Sequence, residues 1–419
     1  MKSLFILWSL VLLFAQQLSA QYGCPDPQAI NYSPLVSVND GSCIYNVTSY
    51  NLMWKGILSN KLDEISGMCY NNGKFYAHND SGNPNRIYEV DTLNGAVTKT
   101  ITLGTKPNID WEDMTQDDTH IYIGDFGNND GTRQDLVIYK FPKILLSQVA
   151  ATFTIPDSMI ESIYFSYPDQ IDFTPDNNTP FDCEALAYRN QKLHLFSKNR
   201  NGGFCVHYTL PIVAGTYVAT KIDSMHTVGF QITAAEFASN KQLIMTSYKT
   251  SADASCALWL IYDFSNEDSC LLRGNRRRIG IGSAATVGQI EAVCFVDSTR
   301  GFAANEKLTV SGNVVQLNQW YQWNTLLWYP YQTGTGFYDT VRENIFTITF
   351  SGDKLVIGSV PEQYQNAALF VYHIDGRECI QTSIQSTREI SMHSLASGIY
   401  IVEIRTNTDR QISKIQKTN

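Results

Sequence analysis

From about residue 50 onward, the chain alternates short hydrophobic runs with polar turns. Runs such as KFYAHN and HIYIGDF are rich in β-branched and aromatic residues, as strands are. Turn signals such as Asn72-Gly73 and Asn94-Gly95 stand between neighbouring runs. Long helical patterns with a 3.6-residue period are absent. The pattern therefore predicts an all-β protein.

One stretch of this pattern recurs along the chain. Its fullest copy, Asp110 to Asn129, reads DWEDMTQDDTHIYIGDFGNN, an acidic cluster followed by a strand and a second acidic loop. Weaker copies begin at Asp63, Asp182, Thr233 and Ile290, so the unit recurs about every 50 to 70 residues. Four short strands per unit at such a period are typical of a β-propeller. We expect five blades, and six blades are the alternative.

The fifth copy has no clear fourth strand. The segment Tyr50 to Leu58, just before the first copy, has the composition of that missing strand. A ring closed by an N-terminal strand leaves no open sheet edge. We therefore assign residues 49–325 to the propeller.

The amino terminus has the pattern of a secretory signal peptide over residues 1–20, with Lys2, an apolar core and a small residue at Ala20. Residues 21–48 follow as a small module that is too short to bury a core. A disulfide between Cys24 and Cys43 is therefore expected to hold it together. Its Asp26, Asn39 and Asp40 suit either calcium ligation or Asx-turns. The stretch GCPDPQAINYSPLVSVNDGSC resembles a cysteine-bracketed module of exported Bacteroidetes-type proteins.

Residues 344–419 form a second group of short alternating strands with Gly and Ser turns, which predicts a small β-sandwich after a linker at 326–343. Val371-Tyr372, Ser397 to Tyr400 and the terminal Lys414-Ile415 occur in this order. The segment resembles the sorting domain of proteins exported by the type IX secretion system. That resemblance implies export machinery as a partner and a location that is secreted or on the outer-membrane surface, reached through the periplasm.

The propeller also resembles a group of exported Bacteroidetes proteins that share the motifs HNDSG, DWED, GDFGNN, DCEA, SKN and QIEA. They begin here at His78, Asp110, Gly124, Asp182, Ser197 and Gln289. The resemblance implies the fold and the export, and it implies no particular reaction.

The composition narrows the range of partners. The formal net charge is −9, with 31 Lys and Arg against 40 Asp and Glu. This balance leaves no broad basic surface for nucleic acid. After the signal peptide, no apolar run is long enough to span a bilayer, so no transmembrane span is expected.

Candidate chemistry lies where the innermost strands begin and the second strands end, because both places meet at one mouth of a propeller. Carboxylates at the strand starts are candidate metal ligands, with calcium as the expected ion: Glu64, Glu112, Glu184 and Glu291. The alternative is that they accept backbone N–H bonds from the neighbouring blade. Varied residues at the strand ends are candidate ligand contacts: His78, Asp80, Asp125, Lys198, Tyr248 and Glu306.

Nine cysteines in an exported chain permit further disulfides, and Cys256 and Cys270 flank one predicted strand as a candidate pair. No nucleophile elbow, zinc-protease or phosphate-loop motif occurs. The sequence therefore predicts a secreted or surface binding module that holds a small-molecule, glycan or protein ligand at the propeller mouth. The alternative is a calcium-dependent hydrolase of phosphoesters, esters or lactones at the same mouth. Whether the protein is an enzyme stays open at this point.

Overall fold

The computed structural model describes residues 21–200, 203–238, 242–264, 268–310, 312–328, 347–351, 353–358, 367–373, 377–384, 389–405 and 410–417. The predicted signal peptide, residues 1–20, lies outside these ranges, and so does the predicted linker beyond Trp328. Among the described residues, no helix is both long enough and apolar enough to cross a membrane.

The amino-terminal segment is a small module followed by two strands that join the propeller. Cys24 and Cys43 form the predicted disulfide, 19 residues apart in sequence. The strands of this segment are β1 (Tyr22–Gly23), β2 (Val38–Asn39), β3 (Thr48–Ser49) and β4 (Met53–Ile57). A 3₁₀ turn, Asn60–Leu62, leads into the first blade.

Five antiparallel sheets of the described residues form the blades of a propeller. The first blade contains β5 (Ile65–Asn71), β6 (Lys74–Asn79), β7 (Arg86–Asp91) and β8 (Val97–Leu103). The second contains β9 (Trp111–Gln116), β10 (His120–Asp125) and β11 (Val137–Pro142), then, after β12 (Thr152–Ile155), β13 (Glu161–Ser166). The third contains β14 (Cys183–Arg189), β15 (Lys192–Ser197) and β16 (Phe204–Pro211), then, after β17 (Gly215–Val218), β18 (Thr220–His226).

The last two blades follow the same order, with two short helices beside them. The fourth contains β19 (Gln231–Ala238), β20 (Gln242–Tyr248), β21 (Ser255–Tyr262) and, after helix α1 (Cys270–Arg273), β22 (Asn275–Ser283). Helix α2 (Ala284–Val287) leads to the fifth, which contains β23 (Ile290–Phe295), β24 (Arg300–Asn305) and, after the hairpin of β25 (Leu308–Val310) and β26 (Asn313–Gln316), β27 (Gln319–Asn324).

Strand β4 completes the fifth blade by pairing antiparallel with β27, so the ring closes as the sequence predicted. Apolar clusters fill the space between each pair of neighbouring blades, including the fifth and the first, where Phe75, Ala292 and Trp320 pack together. Full burial of one such aromatic side chain contributes about 1.5–3 kcal/mol. The interblade clusters therefore hold the ring together.

Three outer strands come from a different part of the chain than the blade they join. Strand β12 adds to the first blade beside β8, β17 adds to the second beside β13, and β3 adds to the fourth beside β22, each in parallel. The insertion between β11 and β13 therefore ties two blades together. It also contains the 3₁₀ helices Lys143–Ser147 and Asp157–Met159.

The amino-terminal module packs on the outer edge of the fourth blade. The Asp26 carboxylate accepts hydrogen bonds from the hydroxyls of Tyr45 (2.8 Å) and Tyr262 (2.6 Å) and from the backbone N–H of Gln28 (2.8 Å). The Arg277 guanidinium lies 3.9 Å from the centre of the Tyr45 ring. Asp26 therefore stabilises a turn of the module and helps to dock the module on the fourth blade.

The predicted pairing of Cys256 with Cys270 is wrong, because both thiols are free and buried. Cys256 lies at the start of β21 and its thiol contacts the carbonyl of Gly288 at 3.4 Å. Cys270 lies in α1, beyond the other end of that strand. Six residues of β21 follow Cys256 before the strand ends, a distance of about 20 Å and much farther than a disulfide can reach.

The carboxy-terminal segment is a small two-sheet sandwich, as predicted. One sheet contains β28 (Thr347–Ser351), β29 (Lys354–Gly358) and β32 (Glu389–Ser391); the other contains β30 (Ala368–His373), β31 (Glu378–Ser383), β33 (Gly398–Arg405) and β34 (Arg410–Lys417). Buried side chains from both sheets, among them Leu355, Val371 and Val402, form its core.

Candidate functional site

A β-bulge at the start of each innermost strand sets the direction of the side chains at the mouth. In all five described blades, the pairing of the innermost strand with the second strand skips at this point. A bulge re-aims the side chain of the extra residue. The bulge residues are Ser66, Glu112 with Asp113, Glu184, Thr233 and Glu291.

Four of these five bulges open on a narrow cavity of about 120 Å³ on the propeller axis, while Thr233 of the fourth blade does not line it. Seven of the ten predicted ligand or metal contacts line it: Asp80, Glu112, Glu184, Lys198, Tyr248, Glu291 and Glu306. Four lining residues were not predicted: Ile65, Ser66, Asn129 and Arg200. Typical pockets for small organic ligands measure about 300–1,000 Å³. This cavity has room for an ion or a single chemical group.

Two groups of carboxylates in the mouth are close enough to share a cation. Asp80, Asp110 and Glu112 form one group, and Glu112, Asp182 and Glu184 form the other. In each group, one oxygen per carboxylate lies within 4.8 Å of the others. Glu112 belongs to both groups, and carboxylate oxygens are the ligands that calcium prefers.

Two of these carboxylates already have cationic partners. The Lys198 ammonium lies 2.6 Å from both carboxylate oxygens of Glu184, and Arg200 pairs with Asp182. Burial disfavours the charged form of Lys198, but the charges of Glu184 and Glu291 raise its pKa well above the usual value, so it stays protonated.

The other carboxylates form no ion pair within the described part of the chain: Asp80, Asp110, Glu112, Glu291 and Glu306. Burial and the neighbouring acid Asp80 raise the pKa of both Asp110 and Glu306 to about 7. Burial also raises the pKa of Glu291 to about 8 and that of Glu112 well above its usual value. Near neutral pH these groups must take up protons or bind a cation.

Asp110 and Asp182 are mouth residues that the sequence interpretation missed. Each stands two residues before a bulge glutamate, so the second and third blades share the pattern Asp-x-Glu. The Asp110 carboxylate also accepts a hydrogen bond from the Asn129 amide at 3.3 Å. The repeated pattern is the signal that could have identified both aspartates.

Glu64 does not line the cavity, although the sequence alignment matched it with Glu112. It is exposed on the rim, where Asn83 donates a hydrogen bond to it. The counterpart of Glu112 in the first blade is the bulge residue Ser66, two positions later. Matching acid to acid shifted the alignment of this blade by two residues.

His78 packs between the first two blades and does not reach the cavity. Its ring is buried against the edge of Trp111, with ring centres 5.3 Å apart, and fills the space above Gly67. A Cβ on Gly67 would lie 2.3 Å from His78 Nε2. Burial lowers the pKa of His78 to about 4, so the ring is neutral near pH 7.

Asp125 holds in place the loop that carries Asp110. Its buried carboxylate accepts the backbone N–H groups of Ile109 (3.3 Å) and Asp110 (3.1 Å) and pairs with Arg133 at 3.0 Å. These bonds fix the loop that carries Asp110. Asp125 therefore supports the site without lining it.

The alternative role for the acids at the strand starts was to accept backbone N–H bonds from a neighbouring blade. Two other acids, Asp113 and Glu236, have that role. The Asp113 carboxylate accepts the N–H groups of Leu186 (2.9 Å) and Ala235 (3.1 Å), in the third and fourth blades. Glu236 accepts the N–H of Phe295 in the fifth blade. Glu112, Glu184 and Glu291 line the cavity instead.

Comparison with known proteins identifies the carboxy-terminal segment. Residues 342–418 match the family described as secretion system C-terminal sorting domain. The chain is an exported β-propeller protein with a type IX sorting domain. Its destination is the cell surface or the medium.

No curated protein matches the chain. Two of the similar solved structures are a PQQ-bound aldose sugar dehydrogenase from Streptomyces coelicolor and an exo-β-1,3-galactanase from Phanerochaete chrysosporium. The first is 10% identical over 65% of this chain and 98% of its own, with a TM-score of 0.36. The second is 11% identical over 88% of this chain and 93% of its own, with a TM-score of 0.40. At these values neither likeness bears on the function of this chain.

Proposed function

We propose that this protein is a secreted or surface binding module whose propeller mouth holds a calcium ion and, through it, one polar group of a ligand. The observation that carries the proposal is the sharing of Glu112 by two carboxylate groups, each with its oxygens within 4.8 Å. A bound cation offsets the mutual repulsion of Asp80, Asp110 and Glu112, which form no ion pair among the described residues.

The rest of the mouth supports a ligand that sits above the ion. The Lys198 ammonium lies 5.4 Å from the centre of the Tyr248 ring. Arg200 lies on the rim with 28% of its side chain exposed. Since the cavity holds only about 120 Å³, the remainder of the ligand must lie on the face of the propeller. A ligand oxygen that completes the coordination of calcium fits this arrangement.

Thermal unfolding in the presence of different ions tests the proposal. Protein treated with EDTA and then given calcium at about 100 times its dissociation constant gains about 2.7 kcal/mol of stability, which corresponds to about 5 °C or more in midpoint. Magnesium, which demands a tighter octahedral shell, is expected to give a smaller shift. Equal midpoints in EDTA, magnesium and calcium would rule out the ion.

A hydrolase is the second candidate, because Asp110 and Glu306 have a pKa of about 7. A carboxyl group with a pKa near the working pH is suited to general acid or base catalysis. The test is turnover of p-nitrophenyl acetate, p-nitrophenyl phosphate and γ-butyrolactone with calcium or EDTA. Catalysis would be metal-dependent and about 100-fold slower in Glu306→Gln. No turnover of any of the three would leave the binding function alone.

A further inference from the structure

A second cavity lies at the opposite end of the propeller channel. Its volume is about 580 Å³, within the range of about 300–1,000 Å³ found for small-molecule sites. Each innermost strand runs from its bulge toward this end. The residues four positions after the first four bulges line the cavity: Tyr70, Gln116, Tyr188 and Phe237.

This cavity continues outward into a third one of about 750 Å³ between the first and second blades. The two share the residues at their junction: Asn71, Asn72, Asp118 and Lys143. The 3₁₀ helix Lys143–Ser147 lines the outer part, and Lys99 holds it by donating to the carbonyl of Leu146 at 2.8 Å. Together the cavities form one elongated trough, which we call the lower groove.

The inner part of the lower groove presents aromatic rings held in fixed positions. Tyr70, Tyr188 and Phe237 are each half-buried. Tyr188 lies parallel to Tyr122, with an interplanar angle of 4° and ring centres 6.3 Å apart. Phe237 packs beside the Arg189 guanidinium, 5.5 Å from the ring centre. Rings supported from behind lose little freedom when a ligand packs on them.

Only part of the polar lining of the lower groove is open to a ligand, since Asp117 and Glu236, for example, already accept hydrogen bonds within the protein. Within the described part of the chain, the side chains of Asn71, Asn72, Asp118 and Lys143 make no hydrogen bond or ion pair. Gln116 donates from its amide nitrogen to the carbonyl of Tyr70 at 2.6 Å. Its amide oxygen is buried and has no partner among the described residues. A buried acceptor without a partner has lost the hydrogen bond it would make to water, and a ligand hydroxyl would supply one.

We infer that the lower groove binds a chain of neutral sugar units. The C–H faces of sugar rings pack on aromatic rings, and each hydroxyl both donates and accepts, which suits a lining of amides, carboxylates and an ammonium. Acids and bases are mixed along the lining, Asp117, Asp118 and Glu236 against Lys143 and Arg189, so neither a polyanion nor a polycation is favoured. Two joined cavities fit several sugar units.

The test is calorimetric titration of the mature protein with neutral linear hexasaccharides: cellohexaose, laminarihexaose, xylohexaose, mannohexaose and maltohexaose. At least one is expected to bind, with affinity unchanged by EDTA. Tyr188→Ala is expected to weaken that binding at least about tenfold through loss of a stacking face. Lys143→Ala, which removes a side chain with no described partner, is expected to weaken it less. Tyr164→Ala is the matched control, since Tyr164 is 47% exposed on the outer strand β13.

Three results would overturn the inference. The first is no binding of any of these hexasaccharides at millimolar concentration. The second is equal affinity in Tyr188→Ala, Lys143→Ala and Tyr164→Ala. The third is binding that EDTA or Glu112→Gln abolishes, which would place the sugar at the mouth. Loss of calcium binding alone would leave this inference intact, so its failure and that of the proposed function are distinguishable.

Discussion

Glu112 and Asp113 are consecutive acids at one bulge, and their carboxylates point in different directions. Glu112 lines the mouth and belongs to both carboxylate groups. Asp113 is fully buried and accepts N–H groups from two other blades. Burial raises the pKa of both side chains well above the usual values. Of these two neighbouring residues, Glu112 is therefore a candidate ion ligand and Asp113 is a structural cross-link between blades.

Replacing Asp113 with alanine is expected to destabilise the fold by about 3–5 kcal/mol, because three buried backbone N–H groups lose their acceptor. Urea unfolding of the propeller measures the loss. Asp118→Ala, in an exposed turn of the same blade, is the control and should change stability by less than about 0.5 kcal/mol. Equal effects of the two substitutions would contradict the cross-link.

The mouth acids predict that ion-free protein loses stability as pH rises from about 5 to 8. In the folded state, Asp110 and Glu306 keep their protons up to a pKa of about 7 and Glu291 up to about 8. The unfolded chain releases the same protons near about pH 4. It therefore binds fewer protons than the folded chain across this window, and the unfolding free energy falls with pH.

Melting curves in EDTA at pH 5, 6, 7 and 8 check this dependence. Calcium at a fixed concentration should reverse the trend, since the ligands lose their protons more readily at higher pH and bind the ion more tightly. A midpoint in EDTA that rises steadily from pH 5 to 8 would contradict the raised pKa values.

The sequence predicted most mouth residues because propeller geometry brings strand starts and strand ends together. It failed where local geometry decides, and Glu64 and His78 are two examples. Glu64 was aligned with Glu112 because both are glutamates, but the bulge residue of the first blade is Ser66. His78 lies near the end of the second strand, close to the mouth. Its ring packs between the blades instead, in the space left free by the missing side chain of Gly67. Neither effect is visible in the order of polar and apolar residues.

At the scale of the element, the blades and the closing strand follow from the strand pattern. The outer strands β12, β17 and β3 do not, because each pairs with a blade distant in sequence. The alternation of polar and apolar residues can predict that such a segment is a strand. It does not predict which blade the strand pairs with. The lower groove depends on one of these insertions, so it could not be predicted either.

The closing strand β4 offers a test of the ring. Met53 and Trp54 are adjacent on this edge strand and in register with β27, so one of their N–H groups faces β27. Met53→Pro with Trp54→Pro removes that bond and is expected to cost about 3 kcal/mol, or about 6 °C in midpoint. The alanine pair at the same positions keeps the backbone N–H groups and is the control. Identical midpoints for the two pairs would show that β4 does not close the ring.

At the scale of the whole molecule, the sorting domain determines the destination. Its two-sheet core is separate from the interblade clusters of the propeller. Its family match supports export by the type IX system.

Deleting residues 344–419 is expected to trap the protein in the periplasm, because the exporter no longer recognises it. Fractionation of cells and medium followed by immunodetection measures the distribution. The Cys24→Ser, Cys43→Ser double variant retains the sorting domain and should still be exported. Surface display of the truncated chain would contradict the role of this domain.

Equilibrium dialysis against buffered calcium at pH 7.5, with elemental analysis of both compartments, tests the central claim most directly. The proposed site predicts stoichiometric calcium in the wild-type protein and in Glu64→Gln, whose carboxylate is exposed outside the cavity. It predicts loss of that calcium in Glu112→Gln, which removes the carboxylate shared by both groups. Wild-type protein without calcium above background, or calcium retained in Glu112→Gln and lost in Glu64→Gln, would contradict it.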